Sequence, residues 1–212
     1  HELYVNGQRV GDAVLTPGVT NLARRALYMT YDIAPLLRQG ENVIAVWTGP
    51  GWARADGSYG KGVWDQAAMF QAQVYINGDA WMSTDTSWCC SLSSSENIGD
   101  WRGGGQGTYG GELIDARRDQ PGWHTLGFDD AGWEPAVTGE QAVELSSALF
   151  EADKKVKTLS PVSITTHDDE YVVDFGENHT GWFEIDLKGG RAGDEVMILT
   201  ANREGERCEY DQ

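Results

Sequence analysis

The chain has 212 residues, 40% of them hydrophobic and nine of them Trp, so it is long enough to bury a core as one large or two smaller domains and is too apolar to be disordered. Its 16 basic side chains face 33 acidic ones, and the net charge of −17 repels phosphate backbones and anionic lipid, which excludes nucleic acid and membrane surfaces as favoured partners. No apolar run reaches the ~20 residues that a spanning helix needs.

Glu2 to Val5 and Gln8 to Val10 flank Asn6-Gly7, a strong hairpin signal because a type I′ turn needs positive φ at both central positions. The opening has no initiator Met, basic region or apolar leader core, and it begins inside a strand. The far end, Glu206 to Gln212, stops without a cap. The expectation is a piece of something longer. Asp12 to Asn21 reads as loop, and Leu27 to Tyr31 as a strand. Asp32 caps one short turn over Ile33 to Leu37, which Gly40 ends. The continuous apolar run from Asn42 to Thr48 suits a strand covered on both faces.

Gly49 to Trp64 is a long glycine-rich loop carrying Trp52, Tyr59 and Trp64. Aromatics in such a loop either fold over the end of a sandwich or line a cleft. Trp52 fits burial; Tyr59 and Trp64 fit both. Met69 to Ile76 and Ala80 to Ser83 flank Asn77-Gly78, a second hairpin. Trp101 and Tyr109 then bracket the run Gly103 to Gly107, which lacks the Gly-Lys-Ser/Thr of a phosphate loop. Cys89, Cys90 and Cys208 offer neither zinc spacing nor a full disulfide framework.

From Glu112 to Trp133 the chain mixes turning glycines, indoles and carboxylates beside arginine. A stacking surface with bidentate polar groups is what holds a sugar, and the same ingredients build an ordinary sandwich corner. Asp115 and Arg117, two apart along a strand, would share a face and make either a structural ion pair or a sugar contact. Trp101 and Tyr109 are the stacking candidates. The neighbours Asp129 and Asp130 read as turn caps, because adjacent side chains point apart. Thr138 to Lys157 carries the best helical candidates, and Pro161 restarts a β pattern over Val162 to Thr165, Glu170 to Phe175, Trp182 to Leu187 and Glu195 to Thr200. Short strands, frequent turns and scarce helix predict an all-β fold, a jelly roll or β-sandwich over 1–145 followed by part of a second β-sandwich over 146–212.

Glu112-Leu-Ile-Asp115-Ala116-Arg117, Pro121-Gly122-Trp123 and Gly127 to Trp133 together resemble the N-terminal β-sandwich module of bacterial α-L-rhamnosidases. Glu2 to Gly11, Thr30-Tyr31-Asp32 with Leu36-Leu37, Gly40 to Ile44 and Thr84 to Trp88 are similar to earlier parts of that module in the same order. Val173 to Trp182 is similar to the start of the next β domain. The resemblance implies an accessory region without the catalytic barrel. In that family a C-terminal helical barrel cleaves rhamnosides with inversion, through a general acid and a general base. This chain by itself is therefore expected to be inactive, with a rhamnose-containing glycan and the catalytic domain as its partners.

Some related modules hold L-rhamnose with Ca²⁺ through an acidic and amide pair beside the Glu-x-x-Asp-Ala-Arg strand. Gly110 and Gly111 stand at the neighbouring positions and bring no side-chain oxygen, so no cofactor is expected, Ca²⁺ being the single candidate. On this reading Trp101, Tyr109, Glu112, Asp115, Arg117, Trp64 and Tyr59 are carbohydrate-binding candidates, and none is catalytic. A self-standing carbohydrate-binding module, a structural scaffold and the accessory region of a rhamnose-directed polysaccharide lyase are the alternatives.

Overall fold

The computed structural model describes residues 1–22, 24–49, 68–97, 112–139, 143–168, 170–191, 194, 196 and 198. Strands β1 (Glu2–Val5) and β2 (Gln8–Arg9) form an antiparallel hairpin with Val5 opposite Gln8. Its turn holds Asn6 at φ 51° and Gly7 at φ 86°, the left-handed backbone that Asn-Gly adopts at low cost. After β3 (Arg25–Tyr28), β4 (Ile44–Trp47) lies antiparallel on the other side of β1, with Glu2 opposite Trp47 and Val5 opposite Ile44.

Asn6 is 7% exposed and ties this sheet to the loop before β4. Its Nδ2 donates to the Leu36 carbonyl (2.9 Å) and to Asn42 Oδ1 (2.8 Å), while its Oδ1 accepts from the Val43 amide (3.0 Å). Asn42 carries the network on, accepting from the Arg38 amide at 2.8 Å and donating to the Arg38 and Gly40 carbonyls, each at 2.9 Å. Asp32 accepts from the Ala34 amide at 3.0 Å and opens a 3₁₀ turn over Ala34–Leu36, as expected. Among the described residues, Val5 is the apolar side chain that is wholly buried, directly beside this network.

The second Asn-Gly hairpin joins β5 (Gln73–Ile76) to β6 (Asp79–Ser83), with Asn77 at φ 54°, Gly78 at φ 91° and an irregularity between Val74 and Tyr75. The next strands are β7 (Cys89–Cys90), β8 (Ser95–Asn97), β9 (Glu112–Ile114) and β10 (Glu134–Pro135); β8 pairs with β9 and β7 with β10, both antiparallel. β11 (Glu144–Ser147) runs parallel to β3, Glu144 opposite Arg25. The Val14 amide bonds the Asp153 carbonyl at 2.8 Å, and the Phe150 ring lies where a Cβ on Gly18 would have to go. A third hairpin joins β12 (Ser163–His167) to β13 (Glu170–Asp174). Helix among the described residues is confined to two 3₁₀ turns, Ala34–Leu36 and Ala116–Arg118. The architecture is all-β.

Several local expectations shift. The strand foreseen at Leu27 to Tyr31 sits earlier, at Arg25–Tyr28. The stretch foreseen as helical contains β11, because a four-residue ladder with β3 outweighs a weak local propensity. β4 is only half-covered, and Trp47 at its end is 47% exposed. Trp182 to Leu187 forms no ladder with another described residue, and its foreseen partner, Glu195 to Thr200, lies largely outside the described residues.

Removing the Asn6 amide leaves the Val43 N–H and Leu36 C=O without their partner. Asn6→Ala should therefore cost about 2–4 kcal/mol, from unsatisfied groups and from the left-handed backbone. Asn6→Gly, which tolerates that backbone, should lose about 2 kcal/mol. Urea unfolding of the two variants checks both the total and its division.

Candidate functional site

The segment from β9 to β10 is built by short-range polar bonds. β9 ends at Ile114, and the Asp115 amide still reaches the Ser94 carbonyl at 2.9 Å. The Asp115 carboxylate then turns back on the chain: Oδ1 accepts from the Arg117 amide (3.1 Å) and Nε (2.8 Å), and Oδ2 from Nη2 (2.7 Å). A carboxylate that satisfies the first free amide of a turn ends a strand. Asp115 and Arg117 thus do not alternate along a strand as foreseen. Asp115 caps the 3₁₀ turn Ala116–Arg118, and Arg117 lies inside it.

The two side chains form a bidentate ion pair. The Arg117 hydrogen bonds hold the Asp115 carboxyl below the usual carboxylate range, against some desolvation and aided by the Arg117 amide and the Arg118 charge. The same bonds raise the Arg117 guanidinium above its ordinary value. The Arg117 side chain is 90% exposed, so water screens the pair and it contributes little stability. Two of its five N–H donors are engaged, and the rest face outward, able to meet a hydroxyl or a carboxylate.

The following turns hold the indoles in place. Gln120 donates to Ser91 Oγ at 3.0 Å and accepts from Trp133 Nε1 at 2.7 Å. Phe128 meets Trp133 edge-on at 5.7 Å. Asp129 accepts from the Ala131 amide at 3.1 Å, the capping role foreseen for it, while at Asp130 the backbone carbonyl, not the carboxylate, accepts from the Trp133 amide at 2.8 Å. Glu112 lies in β9 opposite Asn97. Trp64, Tyr59, Trp101 and Tyr109 lie outside the described residues, as do Gly110 and Gly111.

A second group of chemistry-bearing residues gathers on the first sheet, and local sequence patterns alone did not single it out. Tyr4 donates to Glu2 Oε2 at 2.5 Å, and Arg9 Nη2 lies 3.0 Å from Glu2 Oε1. Burial, then the hydrogen bond to Glu2 and its charge, push the Tyr4 hydroxyl up to about 12, with Arg9 opposing. His124 stacks on the Tyr4 ring at 4.7 Å and 6°, and Trp123 meets it edge-on at 5.4 Å. His124 Nδ1 is buried without a hydrogen-bond partner. The signal in the sequence was the i, i+2 spacing of Glu2 and Tyr4, but their neighbours across the sheet needed the register. A separate hollow beside β3 and β11 is lined by Thr20, Asn21, Arg24, Arg25 and Glu144, and among the described residues no aromatic side chain lines it. Among the described residues no group of three or more His, Cys, Asp or Glu is placed to hold a metal ion, and no helix is long and apolar enough to cross a membrane.

The family model of the α-L-rhamnosidase N-terminal domain matches residues 1–161. The chain belongs to that family. An α-L-rhamnosidase of Formosa agariphila is 26% identical over 94% of this chain and 21% of the relative, and one of Streptomyces avermitilis is 28% identical over 95% and 19%. The solved structure of α-L-rhamnosidase from Dictyoglumus thermophilum aligns with a TM-score of 0.67 at 33% identity, covering 85% of this chain and 20% of that one. The Streptomyces avermitilis α-L-rhamnosidase complexed with L-rhamnose aligns at 0.66 and 26% identity, covering 84% and 17%. The chain spans about a fifth of the length of the relatives it matches.

In this α-L-rhamnosidase N-terminal domain the Asp115 carboxylate has both oxygens engaged and serves the turn. Its contribution to stability is present above the unfolded carboxyl value near pH ~4 and is lost as pH falls through the lower folded value. An NMR titration of the Asp115 carboxyl should show it ionising below the ordinary aspartate range. Arg117→Ala should return it to the ordinary range without measurable change in thermal unfolding at neutral pH.

Proposed function

We propose that this chain is the non-catalytic accessory β region of an α-L-rhamnosidase-like glycoside hydrolase, which positions a C-terminal catalytic domain and holds rhamnose-containing glycan without turning it over. The observation that carries the reading is the N-terminal-domain match over residues 1–161, in a chain a fifth as long as the α-L-rhamnosidases it resembles. Candidates for the glycan contacts are the exposed Arg117 with Asp115, Glu112, and the aromatics Trp101, Tyr109, Trp64 and Tyr59.

The placement of the acids supports the absence of chemistry. Inversion needs two carboxyl groups facing each other across roughly 6.5–9.5 Å with a water between them. Here Asp85 accepts from the Ser87 amide and hydroxyl at 2.8 and 2.6 Å, Asp115 from Arg117, Asp129 from Ala131, and Asp174 from the Gly176 amide at 2.7 Å. Each of these acids caps a turn within two residues of itself.

The third hairpin supports a neighbouring domain. Ile164 lies opposite Val173, and Thr166 opposite Tyr171. The shared face of Val162, Ile164, Tyr171 and Val173 is open to solvent, Tyr171 being 73% exposed. Ser163, Thr165, Glu170 and Asp174 take the other face together with Val172, which is half-buried. A two-stranded hairpin with an uncovered apolar face is marginal by itself, and Trp182, Phe183, Ile185 and Leu187, further along the chain, are also exposed. A further domain of the same polypeptide is the cover this reading supplies. The two-part division near residue 145 belongs to the proposal, and the β11–β3 ladder favours drawing it after Ser147.

Incubated with an aryl α-L-rhamnoside, the 212-residue chain should release the aryl group no faster than buffer. Sustained, concentration-dependent release would overturn the reading.

A further inference from the structure

Along β1, Leu3 and Val5 alternate with Glu2 and Tyr4. Val5 is wholly buried, so Glu2 and Tyr4 stand on the outer face of the sheet. The register sets Arg9 and Ala45 beside Tyr4, and Trp47 beside Glu2. Five side chains from three strands therefore share that face. Its polar members are held in position: the Glu2 carboxylate is shared between the Tyr4 hydroxyl and Arg9, and Arg9 Nη2 also donates to the Ala13 carbonyl at 2.6 Å. The Tyr4 ring is backed by His124 and Trp123. The Arg9 and Glu2 side chains remain 33% and 34% exposed, and Trp47 is open beside them. Ala45, between the two aromatic positions, contributes only a methyl group to this face.

We propose that this face is a saccharide subsite for a neutral pyranose, with the apolar face of the ring on the Trp47 indole and its hydroxyl rim meeting Glu2 and Arg9. An exposed indole beside preorganised, charge-assisted hydrogen-bonding groups is the combination that a ring with one apolar face and a polar edge requires. The Glu2–Arg9 pair has no net charge, and the −17 chain disfavours an anionic sugar. A second sheet packed over this face would have to desolvate that ion pair, a costly arrangement for a sandwich core. The inference rests on the glycan-holding half of the proposed function and places the contact away from Asp115 and Arg117.

The test is titration of the whole chain with methyl α-L-rhamnoside, followed by Trp fluorescence and by NMR shifts, with D-glucuronate as the anionic comparison. The rhamnoside should saturate, shift the Trp47 indole N–H and the Glu2 and Arg9 amides, and bind more tightly than the glucuronate. Trp47→Ala should weaken binding about tenfold or more. Arg9→Lys, a surface change that keeps the charge and loses the planar fork, should weaken it about fivefold. Lys155→Ala, which removes only an exposed ion pair with Glu184, should leave it within about twofold. If Trp47→Ala does not fold, Arg9→Lys and the shift map decide. Unchanged binding in Arg9→Lys with no shifts on this face, or loss in Arg117→Ala instead, overturns the subsite and spares the glycan reading. Tighter binding of glucuronate overturns the neutral class of ligand. Absence of saturable rhamnoside binding overturns the subsite together with the glycan-holding half, and leaves the accessory role to the turnover assay.

Discussion

One buried side-chain amide holds the first sheet in register. Asn6 sits in a left-handed turn that few residues tolerate, and from there its amide reaches the Leu36 carbonyl, Asn42 and the Val43 amide. The Leu36 carbonyl and the Val43 amide are backbone dipoles that would lose this partner, at about 1–3 kcal/mol apiece, whereas Asn42 keeps its bond from the Arg38 amide. The consequence reaches beyond the turn. Val43 leads directly into β4, so the bond from its amide sets which β4 residue meets which β1 residue. A slip of one position would move Trp47 to the buried side and bring Val46 out. The outer face, with its ion pair and indole, therefore depends on an amide that does not touch it.

Where structure follows from two or three neighbouring residues, it could be read from the chain. Asn6-Gly7 and Asn77-Gly78 both make the positive-φ hairpin turns that their pairing demands, and Asp32 caps the short turn it precedes. The misread elements are those decided elsewhere. β11 forms against β3, a partner more than a hundred residues earlier, and its own residues carry no period that reveals this. Asp115 and Arg117 show the opposite failure. A period of two suggested one strand face, but a carboxylate next to free amides captured them and ended the strand at Ile114. Glu2, Arg9 and Trp47 were invisible as a group because they come from three strands. Local spacing joins Glu2 to Tyr4 only, and the register supplies the rest.

The acidity of the chain also takes on a definite meaning. Asp32, Asp85, Asp115, Asp129 and Asp174 each accept from an amide two positions on. An all-β chain with many short strands needs many turns, and a side-chain oxygen close to the backbone is an efficient way to build them. Five of the 33 acids thus serve turn-making. These acids are engaged by the backbone, and among the described residues no three or more His, Cys, Asp or Glu gather to hold a metal ion.

The cations have their own distribution. Lys154, Lys155 and Lys157 fall together in the stretch between β11 and β12, and they divide their partners: Lys154 pairs with Asp12 at 3.1 Å, Lys155 with Glu184 at 3.7 Å, and Lys157 with Glu177. One partner belongs to the first loop of the chain, and two belong to the segment beyond the third hairpin. The Lys157 hydrogen bond draws the Glu177 carboxyl below its ordinary range. All three pairs are exposed, so each contributes little and salt weakens them further. A connection made of such pairs orients the third hairpin loosely. A firm orientation requires burial of the apolar face of that hairpin, whose area is worth far more per contact than any screened ion pair. The start of the segment after β11 is tied to the first loop by the Val14–Asp153 backbone hydrogen bond and the Lys154–Asp12 pair, whereas Lys155 and Lys157 join parts of that segment to each other by charges of low value.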